Sequence, residues 1–119
     1  MNRKVLVIED DPTTMEIIKV NLQGEGFDVL SAFSGEEGLA KAKEQLPDLV
    51  ILDIMLPTID GWEVCRQLQK DEKTSKIPIL MTSILSEENK GLAMGAVGYL
   101  VKPFERKKLI NQVKNILSL

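Results

Sequence analysis

The stretch Asp48-Leu49-Val50-Ile51-Leu52-Asp53-Ile54-Met55-Leu56-Pro57 decides the fold. Its four leading apolar residues do not alternate with polar ones, and an acid ends them. A strand with one wet face alternates. A continuous apolar run of this length reads as a strand covered on both faces, which implies a parallel sheet between helices. Residues 5–8, 28–32, 79–82 and 97–101 also read as strands, several of them continuously apolar. With 49–52 they make five predicted strands.

The intervening segments carry helix signals. Asp11-Pro12 sets an N-cap before a proline at the first helical position, and Met15, Ile18 and Leu22 then share a face up to Gly24 and Gly26. Ser34-Gly35-Glu36-Glu37 reads as a capping box, with Leu39, Ala42 and Leu46 inward and a stop at Pro47. Asp60-Gly61 opens a helix that buries Val64, Cys65 and Leu68. Ser86-Glu87-Glu88 starts another, closed at Gly95, with acids at its positive end. The last presents Leu109, Val113 and Ile116 or Leu117 inward, and Glu105 caps it poorly. The order βαβαβαβαβα implies an α/β fold with right-handed crossovers.

The chain's 119 residues suit one domain spanning 1–119. At 44% hydrophobic and 28% charged, it has an ordinary globular mix. A net charge of −3 disfavours direct nucleic-acid binding. The absence of His excludes imidazole catalysis, His metal sites and a phosphoryl relay on this chain's own imidazole. The lone Cys65 reads as a packing residue rather than a reactive thiol. Four apolar residues near the N-terminus are too few for a signal peptide. The longest charge-free run, residues 91–101, falls short of the roughly 20 residues of a membrane span. A cytoplasmic protein without membrane contact is expected.

In open α/β sheets, ligands bind beyond the carboxyl ends of the strands. Here those ends carry Glu9-Asp10-Asp11, Asp53, Thr82-Ser83 and Lys102-Pro103. Two carboxylates about 4 Å apart repel by about 4 kcal/mol at an effective dielectric of 20. A hard divalent cation, a raised pKa or Lys102 must offset that. Oxygen donors without thiol or imidazole suit Mg²⁺. Asp10 and Asp53 fit as ligands, Asp11 fits better as a helix cap, and Glu9 is either an outer-sphere group or a solvated loop acid. Asp53 also has the chemistry of a nucleophile toward a phosphoryl group. Mg²⁺, Lys102 and a hydroxyl would neutralise the charge of such a transfer.

These residues resemble the receiver domain of two-component response regulators, a CheY-like family, along the whole chain. The resemblance rests on residues 5–11 and 48–57, on Asp60-Gly61 and Gly95-Ala96, and on Tyr99-Leu100-Val101-Lys102-Pro103-Phe104. It implies a doubly wound five-stranded parallel sheet in the order 2-1-3-4-5, flanked by five helices. Asp53 would accept phosphate from a histidine kinase or histidine phosphotransfer protein. Asp10, Asp53 and the Met55 backbone carbonyl would ligate Mg²⁺ (Mn²⁺ as a substitute), with Glu9 acting through water. Lys102 would contact the phosphoryl group, the Lys102–Pro103 bond would be cis, and Pro57 and Gly61 would be structural. Ser83 is the matching phosphate-contacting hydroxyl, with Thr82 the alternative. Tyr99 would be the aromatic that swings inward as a switch once Ser83 and Lys102 are drawn to the phosphoryl group, moving the α4-β5-α5 face to control a partner or output domain. Kinase specificity would fall on Thr14, Ile17 and Asn21, although partial burial accounts equally for Ile17. Met55 and Leu85 would flank the path of attacking water, and being apolar they imply slow dephosphorylation.

The chain departs from the family in two further places. Residues 83–102 form a shorter stretch than usual, implying a short or displaced fourth helix. Val97-Gly98 replaces the paired acids of the DNA-binding subfamily. The chain would be a stand-alone regulator or a receiver cut from a longer protein. Three rivals share parts of the pattern. A haloacid-dehalogenase-type phosphatase would need an Asp at position 55, and a nucleotide-binding flavodoxin-like protein would need a glycine-rich or basic first loop. The third is an interaction module on the same fold that works without phosphorylation.

Overall fold

The computed structural model describes residues 2–119. The elements run β1 (Lys4–Ile8), α1 (Pro12–Gly24), β2 (Asp28–Ala32), α2 (Gly35–Gln45), β3 (Leu49–Asp53), α3 (Gly61–Lys70), β4 (Ile79–Ser83), α4 (Glu88–Ala93), β5 (Gly98–Val101) and α5 (Arg106–Ile116). All pairings are parallel, and the sheet order is β2-β1-β3-β4-β5.

The unbroken apolar run in β3 is explained by two cores. Val50 and Leu52 pack with Leu6, Ile8, Ile79 and Met81 beneath Ala42 of α2 and Val64, Cys65 and Leu68 of α3. Leu49 and Ile51 face the other way, with Val5, Val7, Leu80 and Leu100 against Met15, Ile18 and Leu22 of α1 and Leu109 and Val113 of α5. Successive side chains of a strand point to opposite faces, so every position must be apolar when both are covered. Cys65 is buried, and burial pushes its thiol pKa up, so it packs rather than reacts.

The helix starts follow local chemistry. Asp11 accepts the Thr14 N–H, Ser34 accepts the Glu37 N–H and Asp60 accepts the Glu63 N–H. Glu105 makes no side-chain cap bond, as its length suggests. Two details differ from the sequence reading. Glu37 accepts from the Phe33 N–H, one residue before the position of a capping box. Leu46 is exposed rather than inward: α2 ends at Gln45, and Leu46, ahead of Pro47, takes a left-handed conformation at φ 47°. A residue before proline is disfavoured in the right-handed helical region, so the helix cannot carry Leu46 onto its apolar face. Val97 also falls outside β5 and is exposed.

Candidate phosphoryl-acceptor site

The strand order reverses between β1 and β3, since the chain leaves β1 for one side of the sheet and returns to the other. The carboxyl ends of these two strands therefore border one crevice. Glu9 and Asp10 follow β1, and Asp53 is the last residue of β3. Glu9, Asp10 and Asp53 each bring a carboxylate oxygen to within 4.8 Å of the others. Glu9 and Asp53 are buried and Asp10 is exposed. Glu9 is therefore not a solvated loop acid.

The repulsion among these acids meets a specific counter-charge. Lys102, just beyond β5, donates to Glu9 Oε1, and its Nζ lies 3.5 Å from Asp53 Oδ2. The Asp11 N–H donates to Glu9 Oε2 at 3.1 Å, and the Met55 N–H donates to Asp53 Oδ1 at 3.2 Å. Burial pushes the Glu9 carboxyl pKa up, and the nearby Asp53 adds to this. The bonds from Lys102 and the Asp11 N–H oppose it. Asp11 is the α1 cap, bound by the Thr14 N–H and hydroxyl. The Lys102–Pro103 peptide is cis.

Three carboxylate oxygens this close, with no soft donor among them, fit a hard cation. Mg²⁺ binds oxygens at about 2.1 Å and keeps several waters. Glu9, Asp10 and Asp53 would hold it, and it would supply charge neutralisation for phosphate oxygens.

Both candidate hydroxyls are buried at the end of β4. Thr82 is the strand partner of Asp53, and Ser83 accepts the Lys102 N–H through its carbonyl at 2.7 Å. Ser83 Oγ also accepts the Leu85 N–H at 3.1 Å. The Leu85 carbonyl accepts the Tyr99 hydroxyl at 2.6 Å, and that hydroxyl accepts the Glu87 N–H at 3.3 Å. Tyr99 thus already lies inside rather than awaiting an inward swing, because its hydroxyl has both an acceptor, Leu85, and a donor, Glu87, in the loop between β4 and α4.

Gly61 is required by close approach, because a Cβ there would stand 2.5 Å from the Asp53 carbonyl oxygen and from Ile54 Cα. Pro57 is exposed in the same loop. It helps line an open cleft of about 550 Å³ with Asp10, Met55, Trp62, Leu85 and Glu87. Met55 and Leu85 are exposed apolar walls of that cleft.

A second hollow, of about 330 Å³, lies on the other side of Lys102, lined by Thr14, Ile17, Ile84, Pro103 and Phe104. Ile17 is 56% exposed on this hollow. Asn21 is half-buried and does not line the hollow. Ile84 is the member sequence reading missed. The apolar run continuing past Ser83 was the available signal.

Residues 5–114 match the family model described as the response regulator receiver domain. The chain is 42% identical over 120 residues to the alkaline phosphatase synthesis transcriptional regulatory protein PhoP of Bacillus subtilis, covering 98% of this chain and 49% of that protein. It spans about half the length of the curated relatives it matches. The chemotaxis response regulator CheY4 of Vibrio cholerae superposes with a TM-score of 0.92 at 30% identity, covering 98% of this chain and 99% of that one. The receiver domain of the sensor histidine kinase PA1611 of Pseudomonas aeruginosa, solved with magnesium in its active-site cleft, superposes at 0.90 with 25% identity and full coverage of both. By fold and by family match, the chain belongs to the response regulator receiver domains of two-component systems.

Proposed function

We propose that this chain is a phosphorylation-dependent switch in a phosphorelay. An Asp53 carboxylate oxygen attacks the phosphorus of a phosphohistidine on a kinase or phosphotransfer protein. The N–P bond breaks, the imidazole leaves as a neutral ring keeping the proton already on its other nitrogen, and an acyl phosphate remains on Asp53. The convergence of buried Asp53 with Glu9, Asp10 and Lys102 carries this reading. Mg²⁺, or Mn²⁺ in its place, would sit among Glu9, Asp10, Asp53 and the Met55 carbonyl. Asp53 and its neighbours catalyse only this self-modification and its slow reversal, in a cytoplasmic setting.

Phosphorylation adds about −1.5 to −2 charge and three acceptor oxygens. Lys102 and the Ser83 hydroxyl then turn toward them, with Thr82 the alternative hydroxyl. Ser83 also holds Leu85, and Leu85 holds Tyr99, so the bond network carries the change to α4, β5 and α5. The apolar hollow around Ile17 and Ile84 suits the histidine-bearing partner, with Thr14 lining it and Asn21 further along α1. Thr14 is partly committed to the Asp11 cap. The output is a protein or linked domain contacted by α4-β5-α5, without direct nucleic-acid or membrane binding.

The direct test is mass spectrometry after incubation with a small-molecule phosphoryl donor and Mg²⁺. The chain should gain one phosphoryl group and Asp53→Asn none. A chain that takes up nothing, and whose Tyr99 and Trp62 signals ignore beryllofluoride with Mg²⁺, would be a phosphorylation-independent interaction module. Lys102→Ala should still be phosphorylated but fail to transmit the change to Tyr99.

A further inference from the structure

We propose that Lys90 and Trp62 latch α4 onto the start of α3, next to the acceptor loop (residues 54–60, between β3 and α3), and so hold Tyr99 in its inward position. This makes both of them positioning residues of the switch. The inference rests on the reading of Asp53 as acceptor only in treating α4 as the output element.

α4 is six residues long and its first residues have no side-chain cap. A helix this short has no stability of its own, so tertiary contacts must place it. Two such contacts come from adjacent residues. Gly91 lies against the Tyr99 ring, where a Cβ would stand 2.8 Å from Cδ2 and 3.4 Å from Met81 Sδ. Only glycine lets α4 close over the ring in this way. Lys90 places its Nζ 4.4 Å from the centroid of the Trp62 ring, within cation–π range. Among the described residues Lys90 makes no salt bridge, so the indole is its partner.

Trp62 is itself well anchored. The preceding Gly61 donates its N–H to the Ile54 carbonyl at 2.7 Å and abuts the Asp53 carbonyl. Trp62 also forms one wall of the cleft whose other side is Leu85 and Glu87. A continuous route therefore runs from Asp53 through Gly61, Trp62 and Lys90 to Gly91 and Tyr99. It is separate from the route through Ser83 and Leu85. A movement of the acceptor loop shifts Trp62, and the Lys90 contact passes that shift to α4.

The test uses the full chain without phosphoryl donor. Amide exchange at Glu87, whose N–H donates to the Tyr99 hydroxyl, reads the inward state directly. Lys90→Met should speed that exchange about 2- to 5-fold, the size of an exposed cation–π contact. It should also move the emission of Trp62, the sole tryptophan. Lys90→Arg should restore both. Trp62→Leu should speed Glu87 exchange as Lys90→Met does, with no further gain when the two are combined. Unchanged exchange in Lys90→Met, or additive effects in the double variant, would overturn the latch. Phosphoryl uptake is weighed separately by mass. A wild-type chain that takes none sinks the acceptor reading alone, while the exchange result decides the latch by itself.

Discussion

Thr58 adopts φ 68° in the loop between β3 and α3, a left-handed conformation that a β-branched side chain disfavours. Its side chain is exposed and, among the described residues, has no hydrogen-bond partner that would hold it there. Asn visits this region at lower cost, so Thr58→Asn should stabilise the fold by about 0.5–1 kcal/mol. The expected sign is a higher urea midpoint at an unchanged slope, and a lower midpoint would show that the threonine is not strained. Glu63 offers a pH test. Bonds from Arg66 and Gln67 pull its carboxyl from an ordinary 4.5 down to about 2. A depressed folded pKa means that the group's contribution is full above about 4.5 and is lost as pH falls through about 2. Carboxyl NMR should place the Glu63 midpoint near the lower figure, and Glu63→Gln should flatten the loss of stability between those values. A midpoint near 4.5 would mean that the exposed Arg66 pair is not formed in solution.

At the scale of elements, what could be read from sequence was what local chemistry decides. Asp11-Pro12 and Asp60-Gly61 fixed the starts of α1 and α3, because a cap and its donor lie within three residues. The unbroken apolar runs marked the buried strands, and Asp53 stood out because packing does not explain an acid at the end of one. Contacts between distant residues were legible only in outline. The strand ends placed Lys102 beside the carboxylates, but neither residue's neighbours signal its pairing with Glu9 across 93 positions. Leu46 looked inward by periodicity until Pro47 ended its helix. Gly61 looked like ordinary turn chemistry, yet its reason is the backbone of β3. Gly61→Ala must push against the Asp53 carbonyl and Ile54 Cα, which cannot swing aside as a side chain would. It should cost about 1–3 kcal/mol and move the acceptor loop. Asp60→Ala, which removes only the α3 cap, should cost about 1 kcal/mol and leave the loop in place. Comparing amide shifts of Met55 in the two variants separates these effects. If both perturb Met55 alike, the close approach is not what the glycine serves.

At the scale of the whole molecule, the fold tolerates a cluster of like charges that lowers its stability when no cation is bound. Lys102 answers Glu9 and Asp53 but makes no salt bridge with the exposed Asp10. Removing that third charge should help the metal-free chain by about 1 kcal/mol, since two charges 4 Å apart in water interact by about that much. A ligand that binds only the folded state stabilises it by RT ln(1 + [L]/Kd), about 2.7 kcal/mol at a hundredfold excess over Kd. The two terms have opposite signs for Asp10→Asn. In chelator the variant should melt above the wild type. As Mg²⁺ rises, the wild type should gain stability and overtake it, because the variant lacks one of the three carboxylates. The melting curves should therefore cross with increasing Mg²⁺. Parallel curves would mean that Asp10 does not hold the ion. A variant less stable even in chelator would mean that the Asp10 carboxylate stabilises the fold without a cation. A crossing would tie fold to function: the charge that weakens the chain in chelator would be the one that lets a cation settle at the strand ends.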